Sequence, residues 1–386
     1  MKRSLAAIAA ATLSLSLLAG CGGGSSSSDS DVIKVGINYE LSGAVATYGD
    51  ASVKGIEMAF DEINAAGGIN GKQVETIKYD TKSEPAEATT LATKLMTQDK
   101  VVTVIGPATS GSFKATIPVA NQNKIPVVSG SATAEDVTVS NGKVQEYAFR
   151  TCFSDSFQGT AMASFATDNL GAKSAVIIKD TSSDYAKGLA ENFSSKFESE
   201  GGTIVGEEGY VAGDTDFQAI LTRIKSQSFD AIYLPGYYNE VGLIIKQARD
   251  LGITAPILGG DGYESPTLLQ LAGASALNNV YYTNHYSSLD TDNAKVGEFI
   301  ANFKATYNED PSAFSALGYD TAYFVADAIG RASDLTGEAV KDAMASTTDF
   351  SGVTGTFSID ANHDPDKAAL VIGLTDGVPT SAVDAA

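Results

Sequence analysis

From Asp31 onward, short runs of β-branched and aliphatic residues alternate with stretches whose apolar positions recur every three or four residues. That alternation constrains the chain more than any other feature, because strands separated by helices join as βαβ units into a parallel sheet. The clearest strand candidates are VIKVGI from Val32, VVTVI from Val101, IPVV from Ile125, AVII from Ala175, DAIYL from Asp230 and APIL from Ala255. Between the first two, Val53, Ile56, Phe60 and Ile63 keep helical spacing, with Asp50 as the expected N-cap and Gly67 as the stop. A second helix is expected from Ser83 to Gln98, with Pro85 in its first turn and Ala88, Leu91 and Leu95 on one face.

The pattern occurs twice. Gly106 follows its strand as Gly236 follows another, 130 positions on, and Pro126 and Gly130 recur at the same offset as Pro256 and Gly260. A chain of 386 residues also exceeds what one core usually supports. The expected architecture is α/β: two doubly wound parallel-sheet lobes joined by a multi-strand hinge. Open parallel sheets bind ligands at the C-terminal ends of their strands, so two such rims facing each other make a cleft. The segment NVYYTNH from Asn279, helices from about Asn293 to Ala345, and strands TGTFSI from Thr354 and AALVIGL from Ala368 are too few for a third domain. They are expected to complete the lobes, giving residues 32–150 plus 283–352 to the first and 151–282 plus 353–386 to the second.

The beginning of the chain has a different character. Lys2 and Arg3 precede an apolar run from Leu5 to Leu18 that is too short to span a bilayer, and LAGC follows. This resembles a bacterial lipoprotein signal over residues 1–21, and the resemblance implies that Cys21 carries lipid and becomes the mature N-terminus. GGGSSSSDSD, residues 22–31, reads as a flexible tether. With Cys21 so used, Cys152 has no disulfide partner and is expected to be a small buried residue.

Several chemistries are excluded. A net charge of -21 would repel nucleic acid. GGINGKQ at Gly67 has the wrong spacing for a phosphate loop and no hydroxyl after the lysine, and neither GPATSG nor GGDGYE fits a dinucleotide fingerprint. DANHDPDKAALV from Asp360 lacks the glycine and glutamate of a calcium loop and reads as a solvated acidic turn. Two histidines, His285 and His363, and no G-x-S-x-G elbow argue against a serine hydrolase or a catalytic zinc. No enzyme activity and no cofactor are expected.

The loop VIGPATSGSFKA, residues 104–115, still needs an explanation. Where a helix begins, unpaired N–H groups favour an anion, and Ser110 or Thr109 would add a hydroxyl, so the loop could hold a carboxylate. A hydroxyl capping a helix that starts after Gly111 accounts for the same residues equally well.

GAVATYGDASVKGIEMAFDEINAAGGINGKQVETIKYD from Gly43, the VIGPATSGS loop, PVVSGSATAEDVT from Pro126, DYAKGLA from Asp184, DFQAILTRIK from Asp216 and YLPGYYNEVGLIIKQARDLG from Tyr233 together resemble the leucine/isoleucine/valine-binding proteins of bacterial ABC importers. The likeness runs from about Val32 to about Asp360. It implies a type I periplasmic binding protein, monomeric and lipid-anchored on the extracytoplasmic face, that traps a hydrophobic or branched-chain L-amino acid by closing its cleft. Its partners would be membrane permease subunits and a cytoplasmic ATPase. Carried over position by position, Ser110 holds the ligand carboxylate, aided by backbone at Ser131 and by Thr133. Asp261 and the Ser131 carbonyl hold the ammonium, and Tyr48, Tyr185 and Tyr237 wall the cleft, with Phe314 near the hinge. Many relatives carry glutamate where this chain has the shorter Asp261. The side chain of the ligand stays open, as do an amide or aromatic acid and a sensory receptor of the same fold. The lack of any tryptophan weighs against a sugar.

Overall fold

The computed structural model describes residues 32–290 and 293–385; Cys21 and the expected signal and tether lie outside them. In chain order, β1 (Val32–Tyr39), α1 (Ala46–Ala65), β2 (Gln73–Asp80), α2 (Pro85–Lys94), β3 (Thr103–Ile105), α3 (Ser110–Asn123), β4 (Val127–Ser129), a hairpin of β5 (Val139–Ser140) and β6 (Lys143–Val144), and β7 (Ala148–Arg150) build the first half. Its sheet has the order β2-β1-β3-β4-β7, with every pair parallel. The interior strand β1 is buried on both faces along most of its length because helices cover both. Leu95, Phe113 and Ile117 pack on Val104 and Val127 on one side, and α1 packs on Val35, Ile37 and Val128 on the other.

The second half repeats the plan with α4 (Asp155–Asp168), β8 (Ser174–Asp180), α5 (Asp184–Ser199), β9 (Thr203–Tyr210), α6 (Gln218–Lys225), β10 (Ala231–Tyr233), α7 (Tyr238–Asp250), β11 (Ile257–Gly259), α8 (Pro266–Ala272) and β12 (Val280–Asn284). The order β9-β8-β10-β11-β12 is that of the first sheet, so Gly106 after β3 and Gly236 after β10 hold equivalent places. The chain then returns to the first half with α9 (Ala294–Tyr307), α10 (Ala313–Arg331) and α11 (Gly337–Ala345), followed by the hairpin of β13 (Phe350–Gly352) and β14 (Gly355–Phe357). Finally β15 (Ala369–Thr375) extends the second sheet antiparallel to β12, and β16 (Val378–Ala385) pairs antiparallel with β15 at the edge.

Four details differ from the sequence reading. The first helix begins at Ala46, and Asp50 pairs with Lys54 at 2.8 Å within it instead of capping it. The strand TGTFSI joins only its own small hairpin. Thr283 and Asn284, expected in the first lobe, pair with Val371 and Leu370 in the second sheet, and Val353, expected in the second, packs with Met58 and Phe299 in the first half. The acidic turn after Asp360 is more than a solvated loop. Asp364 meets Arg150 at 2.7 Å, and the buried Lys367 donates to the Thr151 carbonyl at 3.0 Å, both next to the place where the first sheet ends.

Candidate functional site

The loop before α3 is fixed from behind by Glu40. This residue follows β1, is fully buried, and accepts from Ala108 N at 2.9 Å and from Thr109 N and Oγ1 at 3.1 and 2.8 Å. Burial pushes its carboxyl up and those three donors oppose the shift. Thr109 is the N-cap of α3 and its hydroxyl is committed to Glu40. Ser110 is the first residue inside the helix, so it is not the cap, and its Oγ accepts from Ala134 N at 3.1 Å. Gly106 is required at φ +93, where a Cβ would lie 2.4 Å from the Asn38 carbonyl.

The turn after β4 packs on this loop. Ser129 Oγ donates to the Pro107 carbonyl at 2.7 Å and receives Ser131 N at 3.3 Å and Ala132 N at 3.0 Å. Ser131 Oγ donates to the Ala108 carbonyl at 3.0 Å. Thr133 is fully buried with its Oγ1 unbonded among the described residues. The first half therefore gathers Ser110, Ser131 and Thr133 around the N-terminus of α3.

The second half brings an acid. Asp261 opens the short turn after β11, and its Oδ1 accepts from Tyr185 Oη at 2.8 Å and from Gln158 Nε2 at 3.2 Å. His285 Nε2 lies 3.4 Å from Asp261 Oδ2, and its ring stacks on Phe153 at 3.5 Å. Burial lowers His285 to about 4, so it is neutral at neutral pH and neutralises no carboxylate. Asp155, the first residue of α4, stands between the two sets. Its N–H donates to the Thr133 carbonyl at 2.8 Å and its Oδ1 accepts from the same Gln158 Nε2 at 3.0 Å.

The tyrosines converge on the same place. Tyr48 on α1 donates to the Gly262 carbonyl at 2.5 Å across the two halves, stacks on Phe314 at 4.3 Å and meets Tyr237 edge-on at 5.8 Å. Tyr237 stacks on Tyr185 at 5.0 Å, and Tyr185 Oη also receives Gly262 N at 2.9 Å. All seven residues expected from the sequence thus lie around one junction. Asp155, Gln158, His285 and Glu40 escaped that reading, since single polar residues on separate elements leave no periodic signal. Cys152 is buried and unpaired, and burial pushes its thiol up to about 12. Among the described residues no cluster of histidine, cysteine and acid could hold a metal, and no helix is long and apolar enough to cross a membrane.

Hydroxyls and a helix N-terminus on one doubly wound half lie close to a carboxylate on the other, at the strand ends where α/β sheets commonly take small ligands. The chain belongs to the periplasmic binding protein family, whose model matches residues 32–377. It is a substrate-binding protein with the type I fold. Similar proteins include the leucine-, isoleucine-, valine-, threonine- and alanine-binding protein of Pseudomonas aeruginosa, 30% identical over 86% of this chain and 87% of its own. Among solved structures, the branched-chain amino acid transporter substrate-binding protein LivJ of Streptococcus pneumoniae, in complex with isoleucine, is 45% identical with a TM-score of 0.87, covering 92% of this chain and 99% of that one. A solute-binding protein of R. palustris in complex with benzoate is 27% identical with a TM-score of 0.81, covering 92% and 96%.

Proposed function

We propose that this protein is the extracytoplasmic substrate-binding subunit of an ABC importer for a hydrophobic or branched-chain L-amino acid, which it captures by closing two lobes. The lobes correspond to the two sheets with their helices, and the chain passes between them after Arg150, after Asn284 and before Ala369. Ser110, the N-terminus of α3 and Thr133 hold the ligand carboxylate. Asp261 and the Ser131 carbonyl take its ammonium, while Tyr48, Tyr185 and Tyr237 enclose its side chain.

One observation carries this reading. The hydroxyls assigned to the ligand carboxylate, Ser110 and Thr133, come from one half and Asp261 comes from the other, the complement of a zwitterion held between two jaws. A monomer serving a membrane permease and its ATPase fits the relatives, which are themselves transporter binding proteins. An aromatic acid is the second reading, favoured by the stacked rings of Tyr48, Phe314, Tyr185 and Tyr237 and by the benzoate-binding neighbour.

A thermal-shift screen of the purified domain against the L-amino acids and benzoate separates the two. A ligand at about 100 times its Kd adds about 2.7 kcal/mol. Stabilisation by leucine, isoleucine or valine is expected; stabilisation by benzoate alone would select the second reading, and silence to every amino acid would end the first.

The lipid tether is part of the same proposal and rests on the LAGC stretch. Cys21→Ala is expected to move the protein from the membrane fraction to the soluble or secreted one. Unchanged fractionation would remove the anchor.

A further inference from the structure

In the first half, α1, α9, α10 and β13 enclose a groove of about 530 Å³. Tyr48 stands in the first turn of α1 and Glu62, which lines the groove, fourteen residues on near its end. At about 1.5 Å of rise per residue they are roughly 21 Å apart along the axis, so the groove is separate from the site between the sheets. Its lining is aromatic: Phe299 and Tyr319 lie 5.1 Å apart, Tyr319 and Tyr323 4.9 Å, and Phe350 faces the same space. Its charge is negative. Lys295, the one cation in the lining, donates to the Ser351 carbonyl and Oγ at 2.8 Å each, and Asp320 is spent on Val353 N, Thr354 N and Thr354 Oγ1. Glu62 and Glu298 enter no ion pair among the described residues.

Glu62 is held in one orientation. Tyr319 Oη and Tyr323 Oη both donate to its Oε2, at 2.6 and 2.7 Å, while Oε1 has no hydrogen-bond partner among the described residues. Burial and the bond to Glu62 push both phenols up, Tyr323 to about 12, so both remain donors at neutral pH. A carboxylate oxygen takes about two donors, so Oε2 is filled and Oε1 is open. An open carboxylate oxygen among aromatic rings, with a second acid in the same groove, suits a positive charge carried on an apolar body. A bare divalent ion would need a shell of oxygen ligands where the groove offers rings. We propose that this groove is a second ligand site, for a small aliphatic amine, with Glu62 Oε1 accepting from the ammonium and the rings of Phe299, Tyr319, Tyr323 and Phe350 receiving the alkyl chain. The site stands independently of what the cleft binds.

Calorimetry at fixed ionic strength, with putrescine as the probe, tests this. One putrescine per chain is expected to bind, undisturbed by excess L-isoleucine and not displaced by an equal concentration of magnesium ions. Glu62→Gln, whose side-chain oxygen can still accept from both tyrosines, is expected to weaken binding tenfold or more. Glu191→Gln, the same change at an exposed position of α5, should leave it within twofold. Because the chain carries a net charge of -21, this second variant measures diffuse attraction. Equal weakening by the two variants, or displacement by magnesium, would reduce the effect to that attraction and overturn the site. Displacement by isoleucine, which would place the amine in the cleft, or no binding at millimolar putrescine would overturn it as well. Should Glu62→Gln not melt cooperatively, Glu298→Gln, at an exposed position of α9, carries the same comparison against Glu191→Gln.

Discussion

Asp261 is held rigidly for a residue in a turn: Tyr185 and Gln158 fix one oxygen, and His285, itself stacked on Phe153, faces the other. If it pairs a desolvated ammonium, Asp261→Ala strands that charge and should cost about 3 to 5 kcal/mol of binding. At 1.4 kcal/mol per decade this is roughly a hundredfold or more. Ser110→Ala removes one neutral donor from a carboxylate that keeps the N–H groups of α3, so its cost should be smaller, about 1 to 3 kcal/mol. Because Ser110 Oγ also receives the buried Ala134 N–H, the second variant should in addition melt lower than wild type. Calorimetry with the ligand from the screen checks the order of the two losses. If Asp261→Ala binds within about threefold of wild type while Ser110→Ala loses binding, the ligand is a carboxylate with no critical ammonium.

At the scale of elements, what could be read from the sequence was whatever depends on local pattern. Periodicity located α1, β1, β8 and β15, and the repeat at Gly106 and Gly236 anticipated two sheets of one strand order. What could not be read depends on backbones meeting. Three glycines inside α1 and α10 are weak helix formers taken singly, yet each is a notch. A Cβ on Gly49 would lie 2.0 Å from the Glu40 carbonyl, one on Gly55 2.0 Å from that of Ser315, and one on Gly318 2.2 Å from that of Ser52. The first of these contacts ties the early turns of α1 to the end of β1, which accounts for a start at Ala46 and not at Asp50. The same limit hid the role of the turn after Asp360: its partner Arg150 lies more than 200 positions away, and a polar run with a distant buried partner looks like any exposed loop. In the site, Ser110, Ser131 and Thr133 were found because they lie in long blocks of family likeness and Asp261 because the short loop GGDGY matches a family position, whereas Asp155 and Gln158 needed the fold to bring α4 beside the turn after β11.

Across the whole molecule, the two halves are joined in two ways of very different strength. Three covalent crossings hold them permanently, with Arg150, Asp364 and Lys367 packed around two of them. Facing surfaces hold them by the rings of Tyr48, Tyr237 and Tyr238 and by polar contacts that include Tyr48 Oη to the Gly262 carbonyl, Tyr238 Oη to the Ala44 carbonyl at 3.0 Å, Thr47 Oγ1 with Ser265 Oγ at 3.0 Å, Ala313 N to Glu264 Oε1 at 3.1 Å, and Lys114 Nζ to Asp184 at 2.7 Å. Each such hydrogen bond contributes about 0.5 to 1.5 kcal/mol net, and the exposed ion pair less. Water can replace the hydrogen bonds when the halves separate. A ligand bonded to Ser110 on one side and Asp261 on the other adds contacts that exist only in the closed arrangement, so it shifts the population toward closure in proportion to that difference. The motion should be a rigid-body rotation about the crossings that parts the apolar cluster running through both halves where Tyr48 meets Tyr237 and Tyr238, since one face of each sheet keeps a separate core, around Phe113 in the first half and Phe193 in the second. Small-angle scattering is therefore expected to give a smaller radius of gyration with saturating ligand than without. Identical profiles would mean that the free protein is already closed, and the ligand would then have to enter a site that Tyr48 and Gly262 keep shut.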